Sequence, residues 1–411
     1  MKYVPFSLTI FLSLVFSLAF GEERIVEFPA PTGSHAIGKT SFRWADKTRP
    51  EEMTAEPDDH REVVVHLWYP ALASGNEARA PYFPDLELLK KEVKWPISGA
   101  FRAARTNALS DAPVAVGGAS YPVVLLLHGN EMNSVQYSFF VEELVSQGYI
   151  VAGIDSPGEA RGVVLSGGRT LGYGGSPWAK FTKVIVDPNV PLEQQPYPKL
   201  YRARVDARVA DARFVLNQLE QLNAEKGSRF VGRLDLTRVG IFGHSHGAVA
   251  AVNAGIADTR FKACLNLDGL AVGKPYFPAA NGDGPAQPLM MLMRKLEEPS
   301  DKDLEKMGTT RQQWRERAAT VVAENFGHLK SNAYRLVMSG AKHNSFSNDA
   351  MMEAALLKPK ELATAQRQAQ IVRTYILAFF DKHLKDKKTS LLDAASADYP
   401  EIEFRHWPPK N

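Results

Sequence analysis

The chain has 411 residues and a single cysteine, Cys264. One thiol closes no intramolecular disulfide and supplies no Cys-rich zinc site. Neither sign of charge is in clear excess: 49 Lys and Arg stand against 46 Asp and Glu, a net +3. Phosphate recognition needs concentrated positive charge, so no nucleic-acid partner is expected. Internal repeats and low-complexity tracts are also missing. Hydrophobic residues make up 45% and charged residues 23%, which excludes disordered, collagen-like and coiled-coil classes.

What is present begins with an apolar leader. Lys2 precedes a run from Val4 to Gly21 without charge, ending in the small residues Ala19 and Gly21 ahead of Glu22. Residues 1–21 are expected to be a cleaved secretory signal, leaving a secreted or periplasmic domain, residues 22–411, with net charge +2 once Lys2 is lost. A membrane anchor over residues 4–21 is the competing reading. Ser7, Thr9, Ser13 and Ser17 weigh against it, and no cysteine near the junction offers a lipid attachment point.

Residues 22–60 read as irregular, and residues 61–69 as a strand closed by Pro70. From residue 121 the pattern changes to short, continuous apolar runs at 122–127, 149–154, 238–242, 261–267, 288–293 and 334–338. Strands of this kind belong to sheets covered on both faces. Between them, Val205, Val209, Ala212, Leu216 and Leu219 share one helical face, and residues 134–147 and 363–385 read similarly. Strand–helix alternation predicts a single doubly wound α/β domain, its sheet mostly parallel. Two segments are long enough to be cap-like insertions: residues 156–199, and residues 295–333 with Trp314, Val321, Val322 and Phe326 as an apolar stripe.

Gly243-His-Ser-His-Gly247 follows the 238–242 strand and precedes a small apolar stretch that can start a helix. The bare G-x-S-x-G pattern is weak, but strand before and helix after is the context a nucleophile elbow requires. Ser245 is therefore the candidate nucleophile. It needs a base and an orienting acid, which in α/β-hydrolases follow the serine in the order acid, then histidine. His343 lies past the last predicted strand and before the C-terminal helix. Asp268 directly follows the 261–267 strand; Glu297, Glu298, Asp301 and Asp303, after the next strand, are its rivals. Asp155 reads as a turn or cap residue. The developing oxyanion needs two backbone N–H donors. His246 supplies one as the residue after the nucleophile, and Asn130, after His128-Gly129, supplies the other. His128 and His244 are expected to brace loops. A metal pair from His244 and His246 lacks a third ligand, and neither metal nor cofactor is expected.

With these pieces in place the chain resembles the platelet-activating factor acetylhydrolase family, the plasma-type and bacterial branch of the α/β-hydrolases. The matching motifs are Val65-His-Leu-Trp-Tyr-Pro70, Leu126-Leu-His-Gly129, Gly243-His-Ser-His-Gly247, Leu265-Asn-Leu-Asp268 and Gly340-Ala-Lys-His343, spanning residues 61–346. The resemblance independently places the acid at Asp268 and the second oxyanion donor at Asn130. It implies a calcium-independent serine esterase acting on short or oxidised acyl groups, in the best-known members at the sn-2 position of a phospholipid.

The expected reaction is ester hydrolysis through an acyl-enzyme, on a small-molecule or lipid ester and with transient contact to a lipid interface. Activity should fall below about pH 6–7, where an ordinary imidazole protonates. The alternatives are a lipase or polyesterase for longer substrates, an amidase or peptidase, an acyltransferase, and a ligand-binding protein without catalysis. Tyr173, Trp178, Tyr276 and Phe277 are candidate apolar pocket walls.

Overall fold

The central strands form where apolar residues run uninterrupted, because every side chain of such a strand has a layer to enter. The computed structural model describes residues 25–410 apart from 52, 55, 57, 74, 76, 93–97, 117–119, 174–195, 270–283, 307 and 328. The leader, Trp178, Tyr276 and Phe277 thus lie outside the described residues.

In chain order the N-terminal part comprises β1 (Val26–Glu27), β2 (Ala36–Pro50), β3 (His60–Ala71), β4 (Arg79–Pro81), helices α1 (Leu86–Glu92) and α2 (Ser98–Ala103), and β5 (Ala104–Ser110). Then come β6 (Tyr121–Leu127), α3 (Ser138–Ser146), β7 (Ile150–Asp155), the hairpin β8 (Gly162–Val164) and β9 (Thr170–Gly172), α4 (Pro196–Ala224), β10 (Leu234–His244) and α5 (His246–Ala257). The remainder is β11 (Phe261–Leu267), β12 (Leu289–Arg294), α6 (Asp301–Lys306), α7 (Arg311–Gly327), β13 (Ala333–Met338), α8 (Asp349–Leu357), α9 (Leu362–Leu384) and β14 (Ile402–Trp407). One 12-stranded sheet runs β1-β5-β2-β3-β7-β6-β10-β11-β12-β13-β14, with β4 paired to β5. From β7 through β13 the neighbours are parallel, while β2, β3 and β14 pair antiparallel.

Alternate residues divide between two apolar layers. On β6, Val124 and Leu126 enter the layer under α3 and α9, where Val141, Ile371, Tyr375 and Phe379 are buried. Val123, Leu125 and Leu127 enter the opposite layer, with Val215 and Leu219 of α4 and Val249 and Val252 of α5. The sheet is therefore doubly wound and covered on both faces.

Two expectations need correction. Residues 36–50 are not irregular; they form the long β2, antiparallel to β3. Its half-buried face carries the Phe42–Trp44 stack at i and i+2, while Lys39 is buried against Trp68 and donates to the Pro81 and Tyr82 carbonyls. Charge inside this strand hides its period of two. The 295–333 segment is not a cap: α7 is the β12–β13 crossover, burying Val322 and Phe326 in the same layer as α4 and α5, with Phe326 stacked on Trp407. Trp314 is only half-buried. Within 156–199, the described part contains the β8–β9 hairpin.

Candidate active site

The parallel strands β6, β10, β11 and β12 end at residues 127, 244, 267 and 294, and the chemistry-bearing residues emerge at those carboxyl ends. Ser245 sits between β10 and α5 with φ 55° and ψ −124°. A non-glycine residue rarely adopts this backbone, and it turns the hydroxyl out of the chain's path. The two flanking glycines allow the turn. A Cβ on Gly243 would meet the Gly247 carbonyl oxygen at 2.3 Å, and one on Gly247 would meet the Leu127 and His128 carbonyl oxygens at 2.3 Å.

The structure brings Ser245, His343 and Asp268 together. His343 Nε2 lies 2.9 Å from Ser245 Oγ, and Nδ1 lies 2.5 Å from Asp268 Oδ2. Asp268 is buried and also has positive φ, 48°; its N–H donates to the Leu292 carbonyl, so the β11–β12 ladder fixes where its carboxylate emerges. Arg294, at the end of β12, was not anticipated. Its backbone N–H donates to Asp268 Oδ1 at 3.1 Å, and its Nη1 donates to Oδ2 and lies 2.7 Å from His343 Nδ1. The rival acids are engaged elsewhere or exposed. Glu298 and Asp301 pair with Arg311, Asp303 accepts from the Ser300 hydroxyl, and Glu297 is exposed.

The loop histidines hold the frame. His128 Nδ1 faces the Gly129 carbonyl at 2.6 Å, and its Nε2 accepts from the Ser156 N–H, which fixes a neutral tautomer. Burial and the Arg208 charge lower its pKa to about 3. The Gly129 N–H donates to the Tyr137 hydroxyl, which stands 2.8 Å from His244 Nδ1, and His244 Nε2 reaches the His343 carbonyl at 3.0 Å. Burial, then the neighbouring His343, push His244 well below the ordinary imidazole range, so its Nδ1 accepts and its Nε2 donates. His246 packs its ring against Tyr201 and stands 3.7 Å from Glu159, so its environment is separate from that of His244. Asp155 caps the turn after β6, accepting from the Ser134 N–H and the Asn133 side chain. Burial pushes its pKa up, but His66, His128 and Asn133 together draw it down to about 2.

Among the described residues the backbone N–H groups of Asn130 and His246 donate to nothing. The second belongs to the first residue of α5, where no intrahelical acceptor exists. Tyr173 is buried; burial raises its phenol pKa, while the adjoining Asn130 side chain and Arg204 act to lower it. Of the pocket aromatics, it is the one the described structure places next to the site.

Comparison with known proteins accords with this geometry. The family model "Platelet-activating factor acetylhydrolase, isoform II" matches residues 199–397. A probable 1-alkyl-2-acetylglycerophosphocholine esterase of Arthroderma benhamiae is 21% identical over 405 residues, covering 92% of this chain and 93% of that protein. A platelet-activating factor acetylhydrolase of Gallus gallus is also 21% identical, over 91% of this chain and 88% of that one. A solved ferulic acid esterase from Streptomyces cinnamoneus superposes with a TM-score of 0.66 at 26% identity, covering 92% of this chain and 98% of that one. The fold and site thus define a carboxylic-ester hydrolase of the α/β-hydrolase superfamily. Within that superfamily the chain is similar to the platelet-activating factor acetylhydrolases, the family that its sequence motifs resemble.

Proposed function

We propose that the protein is an exported serine esterase working through an acyl-enzyme on short-chain acyl esters or phospholipid-like substrates. One observation carries the mechanism: Ser245 Oγ, His343 and Asp268 stand in a hydrogen-bonded line of 2.9 and 2.5 Å at the carboxyl ends of parallel strands. His343 Nε2 takes the hydroxyl proton as Ser245 attacks the ester carbonyl, and Asp268 holds the imidazole in the tautomer that can accept it. The Asn130 and His246 amides receive the oxyanion. The leaving alcohol collects the proton from His343, and water activated by the same imidazole releases the acid. Export rests on the uncharged run from Val4 to Gly21 after Lys2 and on the Ala19–Gly21 junction.

The test is turnover of p-nitrophenyl esters from acetate to palmitate, with a feruloyl ester included because the structural neighbour is named for that acid. Activity confined to short chains and lost in Ser245→Ala supports the reading and justifies phospholipid assays. A long-chain optimum redirects it to a lipase. A folded protein inactive on all esters refutes it.

A further inference from the structure

We propose that Arg204 is a positioning residue that, through its ion pair with Glu159, holds the Asn130 half of the oxyanion hole and packs that half beside His246. The inference rests on the reading of Asn130 and His246 as the oxyanion donors. Arg204 lies on α4, distant in sequence from both. Its Nε donates to Glu159 Oε1 at 2.7 Å and its Nη2 to Oε2 at 2.5 Å, a buried two-pronged pair. The same Nη2 donates to Asn130 Oδ1 at 2.5 Å. Glu159 Oε2 in turn faces His246 Nδ1 at 3.7 Å. The ion pair therefore bonds the Asn130 side chain and packs beside the His246 ring, whose two buried nitrogens have no hydrogen-bond partner.

The backbone gives this contact leverage. Asn130 precedes Glu131, which has φ 56°, a conformation that persists only where its surroundings impose it. Glu131 N–H donates to the Glu159 carbonyl at 3.0 Å, Arg161 N–H donates to the Met132 carbonyl, and Met132 bridges Ala160. The oxyanion loop is thus zipped onto residues 159–161, and Arg204 locks the two strips through their side chains. The neutral state of His246 suits its role here: burial, then Arg204 and Arg208, push its pKa well below the ordinary range, so no imidazolium competes with Arg204 for Glu159. A rigid planar fork meets two carboxylate oxygens and an amide oxygen in one fixed geometry, which an ammonium on a flexible stem reproduces only in part. Amide donors displaced by a few tenths of an ångström lose more on the transition state than on bound substrate, because only the oxyanion draws on them fully.

The experiment compares Arg204→Met, Arg204→Lys and the double variant Arg204→Met/Glu159→Gln with wild type and Ser245→Ala. The double variant leaves no uncompensated buried carboxylate, so it reports on the clamp even where the single variant fails to fold. Each folded variant is assayed on p-nitrophenyl acetate and titrated with a short-chain trifluoromethyl ketone, which binds through an oxyanion. The double variant is expected to lose about 10- to 100-fold in kcat with KM changed less than about threefold, and the ketone affinity should fall by the factor lost in kcat/KM. Arg204→Lys should recover part of kcat. A folded double variant with wild-type kcat and ketone affinity overturns the proposal, as does a loss carried by KM alone. Ser245→Ala separates the two levels. If it remains active, the serine mechanism falls and the clamp with it; if it is inactive while the Arg204 variants match wild type, only the clamp fails.

Discussion

Replacing Asp268 with Asn tests the site at the point where its geometry is most specific. The carboxylate is buried, and its Oδ2 takes the His343 Nδ1 hydrogen at 2.5 Å. An asparagine amide turned toward His343 donates instead of accepting. Nδ1 must then accept, the proton moves to Nε2, and the imidazole cannot take a proton from Ser245. The imidazolium that forms during attack also loses its counter-charge. With charge centres about 4 Å apart and an effective dielectric constant near 20, that attraction is about 4 kcal/mol, roughly a thousandfold in rate. Tautomer loss brings the expected fall in kcat to about 10³- to 10⁴-fold. Stability should change little: Asn keeps an acceptor for the Arg294 N–H, and the Arg294 side chain is 26% exposed, so water can replace its lost carboxylate. The assay is kcat on p-nitrophenyl acetate alongside a thermal melt. A folded variant within tenfold of wild type would show that Asp268 is not the orienting acid.

Two further perturbations test the frame. Gly247→Ala forces a methyl to within 2.3 Å of the Leu127 and His128 carbonyl oxygens; backbone atoms in a central strand cannot yield, so about 3 kcal/mol or more of stability should be lost in urea unfolding, and a normal midpoint refutes the close-approach argument. His128 has a folded pKa of about 3 against 6.5 for the free side chain, so between those values the unfolded chain binds the extra proton and stability falls as pH drops. One such group contributes up to about 1.4 kcal/mol per pH unit in that window, and His128→Gln should shrink the difference between urea midpoints at pH 7 and pH 5; an unchanged difference would mean that His128 is not held neutral.

The legible part of this molecule was the part buried on both sides. The central strands announce themselves because nearly every position in their apolar runs is buried, and the three site residues do so because each directly follows such a strand or the short loop beyond it. What escaped the sequence lies where charged residues interrupt or end an element. Lys39 and Arg43 disguise β2, although Phe42 and Trp44 spaced two apart were a readable strand signal. Arg294 ends an apolar strand at the latitude of Asp268 and was detectable on those grounds alone. Arg204 was not, because it reaches Asn130 across 74 residues through a helix on another crossover, and no local pattern encodes that meeting.

The chain of contacts from Gly129 through Tyr137 and His244 to the His343 carbonyl joins two loops that belong to opposite ends of the reaction. In the proposed mechanism one carries the general base and the other an oxyanion amide, and the link is made by rings rather than by flexible side chains. The two loops therefore behave as a single casting: a graft that imports a new base-bearing loop must bring a matching oxyanion loop with it. Variation in what the enzyme accepts is then left to segments outside that casting.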